Sequence, residues 1–289
     1  MMVRGARAED SWAPPVDMMP NYGSSMPVLQ RAEGDLWIEE RGSESSPPVL
    51  VVNGSNSSLT DVGPLLDIMA RALHVVSFDH RGMGQSAPSA QSYAMHDVAR
   101  DASDVISSVG WSSCAVVGIS FGGMVAQHLA IEFPRLVSRL VLACTSSGGE
   151  GGSSYPLHEL AGLDLAERTA LSARLMDTRF TPEWLEANPG DRLLVRPRAV
   201  DDSPSHLRAA SLQMSARMHH DAWTRLSEIT CPTLVASGVF DGIAPPENGR
   251  RMADRIPNAT FREYQGGHAF FIQDPRALPD ILDFVGADA

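Results

Sequence analysis

Apolar and polar positions follow two rhythms along this chain. Short apolar runs at 35–40, 48–52, 74–78, 115–118, 137–144 and 232–238, most of them rich in Val, Ile and Leu, read as strands, and 260–264 reads as a further strand. Between them lie stretches of helical spacing. Residues 60–73 carry Val62, Leu65, Leu66, Met69 and Leu73 on one stripe, and 93–109, 124–133, 246–256 and 278–285 repeat the pattern. From 48 to 144 strand and helix alternate strictly, which is the signature of a parallel sheet covered by helices on both faces. The alternation stops at a Ser/Gly stretch, 145–152, and residues 155–227 show helical patterns without a strand. It resumes at 232. The helical block is therefore an insertion between two strands of one sheet.

A chain of 289 residues can bury a large core, as one α/β domain or two small ones. Its net charge of −12 argues against nucleic acid as a partner, since phosphates would be repelled. Cys114, Cys144 and Cys231 are an odd set in strand-like surroundings and make no metal motif, so each reads as a buried, reduced thiol. No apolar run is long enough for a membrane span. Residues 1–27, rich in Pro, Met and Ser, lack the order of a signal peptide and read as a loose extension, and Met26 offers an alternative start. A cytoplasmic location is the expectation.

The chemistry centres on Gly118-Ile119-Ser120-Phe121-Gly122-Gly123, which joins the 115–118 strand to the 124–133 helix. Strand, sharp turn, helix is the context in which Gly-x-Ser-x-Gly presents a serine hydroxyl at the carboxyl edge of a sheet. A serine hydroxyl needs a base, and the base needs an orienting acid. Asp241 falls just past the end of the 232–238 strand, and His268 just past the 260–264 strand. Asp274 is an alternative acid, although Asp274-Pro275 reads as a turn. Acyl transfer also requires about two N–H donors for an oxyanion. The backbone of Phe121, the residue after the serine, is one. Ser55, in the loop after the 48–52 strand, is the choice for the other, with Gly54 and Asn56 as alternatives. The loop Asp79-His80-Arg81-Gly82-Met83-Gly84-Gln85-Ser86 reads as structural, with Asp79 and Arg81 tying loops together.

Taken together, the elbow, the Asp79–Ser86 loop, the Gly238…Asp241 loop and Gly267-His268 resemble motifs of the α/β-hydrolase family from Val49 onward. The resemblance implies an α/β fold with a mostly parallel eight-stranded sheet, helices on both faces and a helical cap inserted after the sixth strand. The expected division is an extension at 1–27, a core at 28–147 and 228–289, and a cap at 148–227. Gly122-Gly123-Met124-Val125-Ala126-Gln127 is similar to the enol-lactonase, esterase and cofactor-free haloperoxidase branches. Two departures stand out. The loop after the third strand begins Asn53-Gly54 where the family usually has His-Gly, and Phe121 stands where Met, Leu or Gln is frequent, suggesting a narrower or more aromatic acyl site.

The resulting expectation is a serine hydrolase for a small or medium, mostly uncharged carboxylic ester or lactone, with Ser120 as nucleophile, His268 as base, Asp241 as orienter, and no metal or cofactor. C–C bond hydrolysis and cofactor-free perhydrolysis by the same triad, or a ligand sensor without catalysis, are the alternatives. A small-molecule substrate is the only partner implied, and the oligomeric state is open. Phe240, Phe270 and Trp223, with Phe121, are expected to line an apolar pocket under the cap. Arg174, Arg179, Arg192, Arg196 and Arg198 could instead pair with an anionic substrate.

Overall fold

The computed structural model describes residues 28–195 and 203–287. The expected extension at 1–27, Arg196 and Arg198 lie outside the described residues. One sheet of eight strands organises the chain: β1 (Val28–Leu29), β2 (Leu36–Arg41), β3 (Pro48–Val52), β4 (His74–Phe78), β5 (Cys114–Ile119), β6 (Val137–Ala143), β7 (Thr233–Gly238) and β8 (Ala259–Tyr264). Their spatial order is β1-β2-β4-β3-β5-β6-β7-β8. The first two pairings, β1 with β2 and β2 with β4, are antiparallel, and all the others are parallel. β1 is only two residues long, too short to leave a pattern in the sequence.

The apolar runs are explained by two separate cores, one on each face of the sheet. On one face Leu50, Val52, Val76, Val116 and Leu140 pack against α2 (Met95–Ser108) and α3 (Phe121–Glu132). On the other, Val49, Val51, Val75, Val117 and Val141 pack against α1 (Leu59–Met69) and α9 (Ala277–Gly286). Successive strand residues point to opposite faces, so a strand buried on both must be apolar throughout. The antiparallel strand β2 instead alternates, with Leu36 and Ile38 buried and Trp37 and Glu39 only partly covered. α1 ends at Met69, four residues before the spacing predicts, because the chain folds back through a turn closed by Leu73 N–H to Met69 O (3.1 Å) and enters β4.

Between β6 and β7 lie α4 (Leu165–Met176), α5 (Pro182–Ala187), α6 (Pro204–Met218) and several 3₁₀ turns, without a strand among the described residues. Each helix has a side-chain cap: Asp164 accepts from Glu167 N–H (2.9 Å), Thr181 from Trp184 N–H (3.1 Å) and Ser203 from His206 N–H (3.3 Å). The last turn, Trp223–Glu228, packs back on the sheet layer, where Ala222, Leu226 and Ile229 are buried with α2 and α3. The stretch 148–227 thus contains both helices over the sheet edge and a segment that completes the core.

The crossing of α3 over β3 and β5 depends on glycine. A Cβ on Gly122 would lie 2.0 Å from Val52 O, and one on Gly118 would lie 2.5 Å from Gly122 O. Gly123 is similarly packed, 2.6 Å from the Thr145 side chain. Backbone oxygens cannot retreat, so Gly122→Ala is expected to cost about 3 kcal/mol or more, read as a fall in the denaturant midpoint with unchanged slope.

Acidification supplies a second test. His80 and His220 are buried, and His128 partly buried, on or beside the α3 side of the sheet, and loss of solvent lowers the pKa of each. That of His220 is pushed down to about 3 by burial and by neighbouring His128. In the unfolded chain such a group binds a proton below its ordinary pKa, whereas in the fold it does not. The unfolded state then holds more protons, so stability falls as pH drops from the ordinary histidine range toward the folded value. By linkage His220 alone is expected to lose about 2 kcal/mol by about pH 5. The drop in Tm on acidification is expected to be smaller in His220→Asn than in the parent protein.

Candidate active site

Ser120 sits between β5 and α3 with φ 56° and ψ −114°, in the left-handed half of backbone space that a β-carbon disfavours. The conformation is held from both sides. Its N–H donates to Ala143 O (2.8 Å), and its carbonyl accepts from Thr145 Oγ1 (2.7 Å). Among the described residues only Asn56 and Cys144 are further non-glycine positions with positive φ. All three lie on loops leaving the carboxyl ends of parallel strands, β3, β5 and β6, at the edge where Ser120 emerges. Such strain persists only where surrounding contacts over-determine the backbone.

Asp241 follows β7 and His268 follows β8. The two loops are joined by Phe240 N–H to Gly266 O (2.9 Å), and Gly238 has no room for a Cβ, which would lie 2.1 Å from Gly267 O. The side chain of Asp241 is fully buried. Its Oδ1 accepts from the backbone N–H groups of Ile243 and Ala244, both at 2.8 Å. Its Oδ2 lies 2.8 Å from His268 Nδ1, and His268 Nε2 lies 2.9 Å from Ser120 Oγ. A carboxylate only accepts, so the Nδ1 proton points to Asp241, and Nε2 is left to accept from the serine hydroxyl. The three sequence-selected residues therefore form one continuous chain of hydrogen bonds.

Asp274, the alternative acid, is placed elsewhere. Its carboxylate accepts from Gln265 N–H (2.7 Å), Arg276 N–H (3.0 Å) and the Arg276 guanidinium, which holds its pKa well below the usual carboxylate range despite burial. It closes the turn into α9.

The loop after β3 passes over the serine, and a Cβ on Gly54 would lie 3.7 Å from Ser120 Cβ. Asn56 N–H is already committed to Gln213 Oε1 on α6 (2.7 Å), which leaves Gly54 and Ser55 of the three candidate donors in that loop. Phe121 opens α3, where the first N–H groups lack intrahelical partners. Its ring is fully buried and meets His80 edge-on at 5.2 Å. The residue thus offers its backbone to the site while its side chain fills the core, contrary to the aromatic wall that the sequence suggests.

Two of the three expected pocket residues are also corrected. Phe270 has no exposed surface and stacks on Tyr264 at 5.1 Å, within the core on the α1 and α9 face. Trp223 packs against Gly151 and beneath Arg255, whose guanidinium carbon is 4.6 Å from the ring centroid, in the segment that returns to the sheet. Both sit where large apolar side chains complete existing layers. Phe240 is half-buried at the cap boundary, with Arg179 4.0 Å above its ring. Arg179 is bound to Asp177, and Arg174 is exposed. The Asp79–Ser86 loop is structural in a different way from the expectation. Asp79 accepts from Leu59 N–H (2.7 Å) and Gln85 N–H (2.8 Å), whereas Arg81 pairs with Asp101 on α2 (2.7 Å).

The sequence reading missed Gln213, Met176, Asp177 and Gln273, which reach this site from the cap and from α8 (Phe270–Gln273). Only the topology brings them there. Among the described residues no group of three or more His, Cys, Asp or Glu could hold a metal ion, and no helix is long and apolar enough to cross a membrane.

Comparison with known proteins agrees with this geometry. A RutD protein of Variovorax paradoxus, named as a carbamate hydrolase, is 30% identical over 264 residues, covering 87% of this chain and 97% of the relative. A poly(3-hydroxyalkanoate) depolymerase of Ectopseudomonas oleovorans is 26% identical over 259 residues, covering 81% and 82%. The structure of an enol-lactonase from Burkholderia xenovorans superimposes with a TM-score of 0.73 at 20% identity, covering 90% of this chain and all of that one. Residues 47–275 match the alpha/beta hydrolase fold. The chain is thus a hydrolase that belongs to the α/β-hydrolase family.

Proposed function

We propose that this protein hydrolyses a carboxylic ester or lactone through an acyl-enzyme on Ser120. The observation that carries the reading is the unbroken Asp241–His268–Ser120 chain, with both links between 2.8 and 2.9 Å. Ser120 Oγ attacks the carbonyl carbon as its proton passes to His268 Nε2. The carbonyl oxygen becomes an oxyanion, held by the N–H groups of Phe121 and Ser55. Collapse of the intermediate breaks the bond to the leaving oxygen, which takes the proton from His268. Water, deprotonated by the same imidazole, then frees the acid. Asp241 holds the tautomer and stabilises the imidazolium.

The substrate reading rests on the partly apolar insertion over the sheet edge and on the placement of its arginines, of which Arg174 is exposed. Arg179 is neutralised by Asp177 and Arg217 is bound to Tyr155 O and Ser154 Oγ. A small-molecule substrate of moderate hydrophobicity and no charge fits these surroundings. Carbamate hydrolysis is a second reading, favoured by the name of the relative with 30% identity, and the same triad would serve it.

Three variants test the assignment. Ser120→Ala is expected to lower kcat/KM for a p-nitrophenyl ester by about 10³-fold or more while keeping the parent Tm. Asp241→Asn is expected to be severe through loss of the correct tautomer, and Asp274→Asn mild; the reverse ranking would move the acid to Asp274. Matched neutral and anionic lactones, together with a p-nitrophenyl carbamate, test the substrate class. Preference for the neutral lactone is expected, preference for the anionic one would reject the uncharged-substrate reading, and preference for the carbamate would establish the second reading.

A further inference from the structure

One cap segment touches both loops that carry the acid and the base. At the end of α4 the chain runs from Arg174 to Arg179 across the loops after β7 and β8. Leu175 O accepts from Gly242 N–H (3.0 Å), Met176 O accepts from His268 N–H (2.6 Å), and Thr178 N–H donates to Phe240 O (2.8 Å). These bonds land on the histidine itself and on the residues flanking Asp241. The approach is close enough to exclude side chains: a Cβ on Gly267 would lie 2.0 Å from Met176 O, and one on Gly242 would lie 2.9 Å from Arg174 O.

Side chains extend the contact. Gln273 Oε1 accepts from Gly267 N–H (2.8 Å), one residue before the histidine. Since that N–H can only donate, the amide is oriented, and its Nε2 points to Asp177 Oδ2 (2.9 Å). The Asp177 carboxylate is completely buried, yet its pKa is lowered. Burial opposes ionisation, and the Arg179 guanidinium and N–H and the Gln273 amide outweigh it. Arg179 is in turn held between Trp184, 4.9 Å from its guanidinium carbon, and Phe240 at 4.0 Å. Phe240, read from sequence as a pocket residue, supports this ion pair.

We infer that Asp177 and Gln273 are positioning residues for His268: the buried carboxylate fixes the Gln273 amide, and the amide fixes the backbone from which the histidine projects. The inference rests on the triad reading above. Mere attachment of the insertion would need no fixed acceptor at Gly267 N–H, and no buried charge to orient it. A misplaced imidazole weakens both its bond to Asp241 and its removal of the serine proton, whereas the shape of the substrate site is untouched. Loss of the link is therefore felt in the chemical step and not in binding.

The test uses the full chain and a fluorophosphonate, whose reaction with Ser120 needs the histidine but no knowledge of the natural substrate. Gln273→Leu keeps the bulk and removes both hydrogen bonds. Its saturating labelling rate is expected to fall about tenfold with half-saturation changed less than about twofold. The far-downfield proton resonance of the His268–Asp241 bond is expected to broaden, at a Tm close to that of the parent. Gln273→Glu sets two carboxylates against each other and is expected to be worse. Parent-like labelling of Gln273→Leu with an intact resonance would overturn the inference. So would a rate loss that merely follows a lowered Tm while the resonance is unchanged. If the parent protein is not labelled on Ser120, the triad reading fails and the inference with it; labelling of parent and Gln273→Leu at equal rates sinks the positioning role alone.

Discussion

Ser120 occupies a backbone conformation that its own β-carbon opposes, and the rest of the site is arranged around keeping it there. At φ 56° and ψ −114° the residue carries strain on the order of 1–3 kcal/mol. The strain is sustained because the turn cannot relax. Ala143 O and Thr145 Oγ1 fix the peptide units on either side, and α3 is seated directly on β3 and β5 where only glycine fits at 118 and 122. The same close seating fixes the amino end of α3 beside Ser120. A loosened helix would therefore release the Ser120 turn as well.

His268 and Asp241 come from two loops that have little structure of their own. They are held by the neighbouring strands β7 and β8, by each other, and by the end of α4. Asp241 uses one carboxylate oxygen to bind Ile243 and Ala244 N–H and the other to bind the imidazole, so its orientation is fixed before the histidine is considered. The insertion thus has two roles. It stands over the sheet edge, and it joins the loops from which Asp241 and His268 project.

The parallel sheet was legible because strands buried on both faces must be largely apolar, as β3, β4, β5, β6 and β7 are, whereas β2 and β8 carry charged residues and are only partly covered. β1 escaped because two residues carry no period. The triad was legible because each member falls just past a strand end, in an order the fold permits. Phe270 and Trp223 were misread for a physical reason. An aromatic side chain near a catalytic residue in sequence can point into either face of the sheet, and periodicity in a one-turn helix such as Phe270–Gln273 cannot say which. Asp177 and Gln273 were invisible for the opposite reason: a polar residue in an exposed-looking stretch acquires its meaning only when a segment far away in sequence meets it, here across 96 positions.

The central claim is that Ser120 becomes covalently acylated. Mixing the protein with a p-nitrophenyl ester, quenching in acid within the first turnover and measuring the intact mass tests it directly. The account predicts an increase equal to one acyl group, mapped by peptide digestion to Ser120 and missing from Ser120→Ala. Turnover with no acyl adduct under rapid quenching, or an adduct on a different residue, would contradict it.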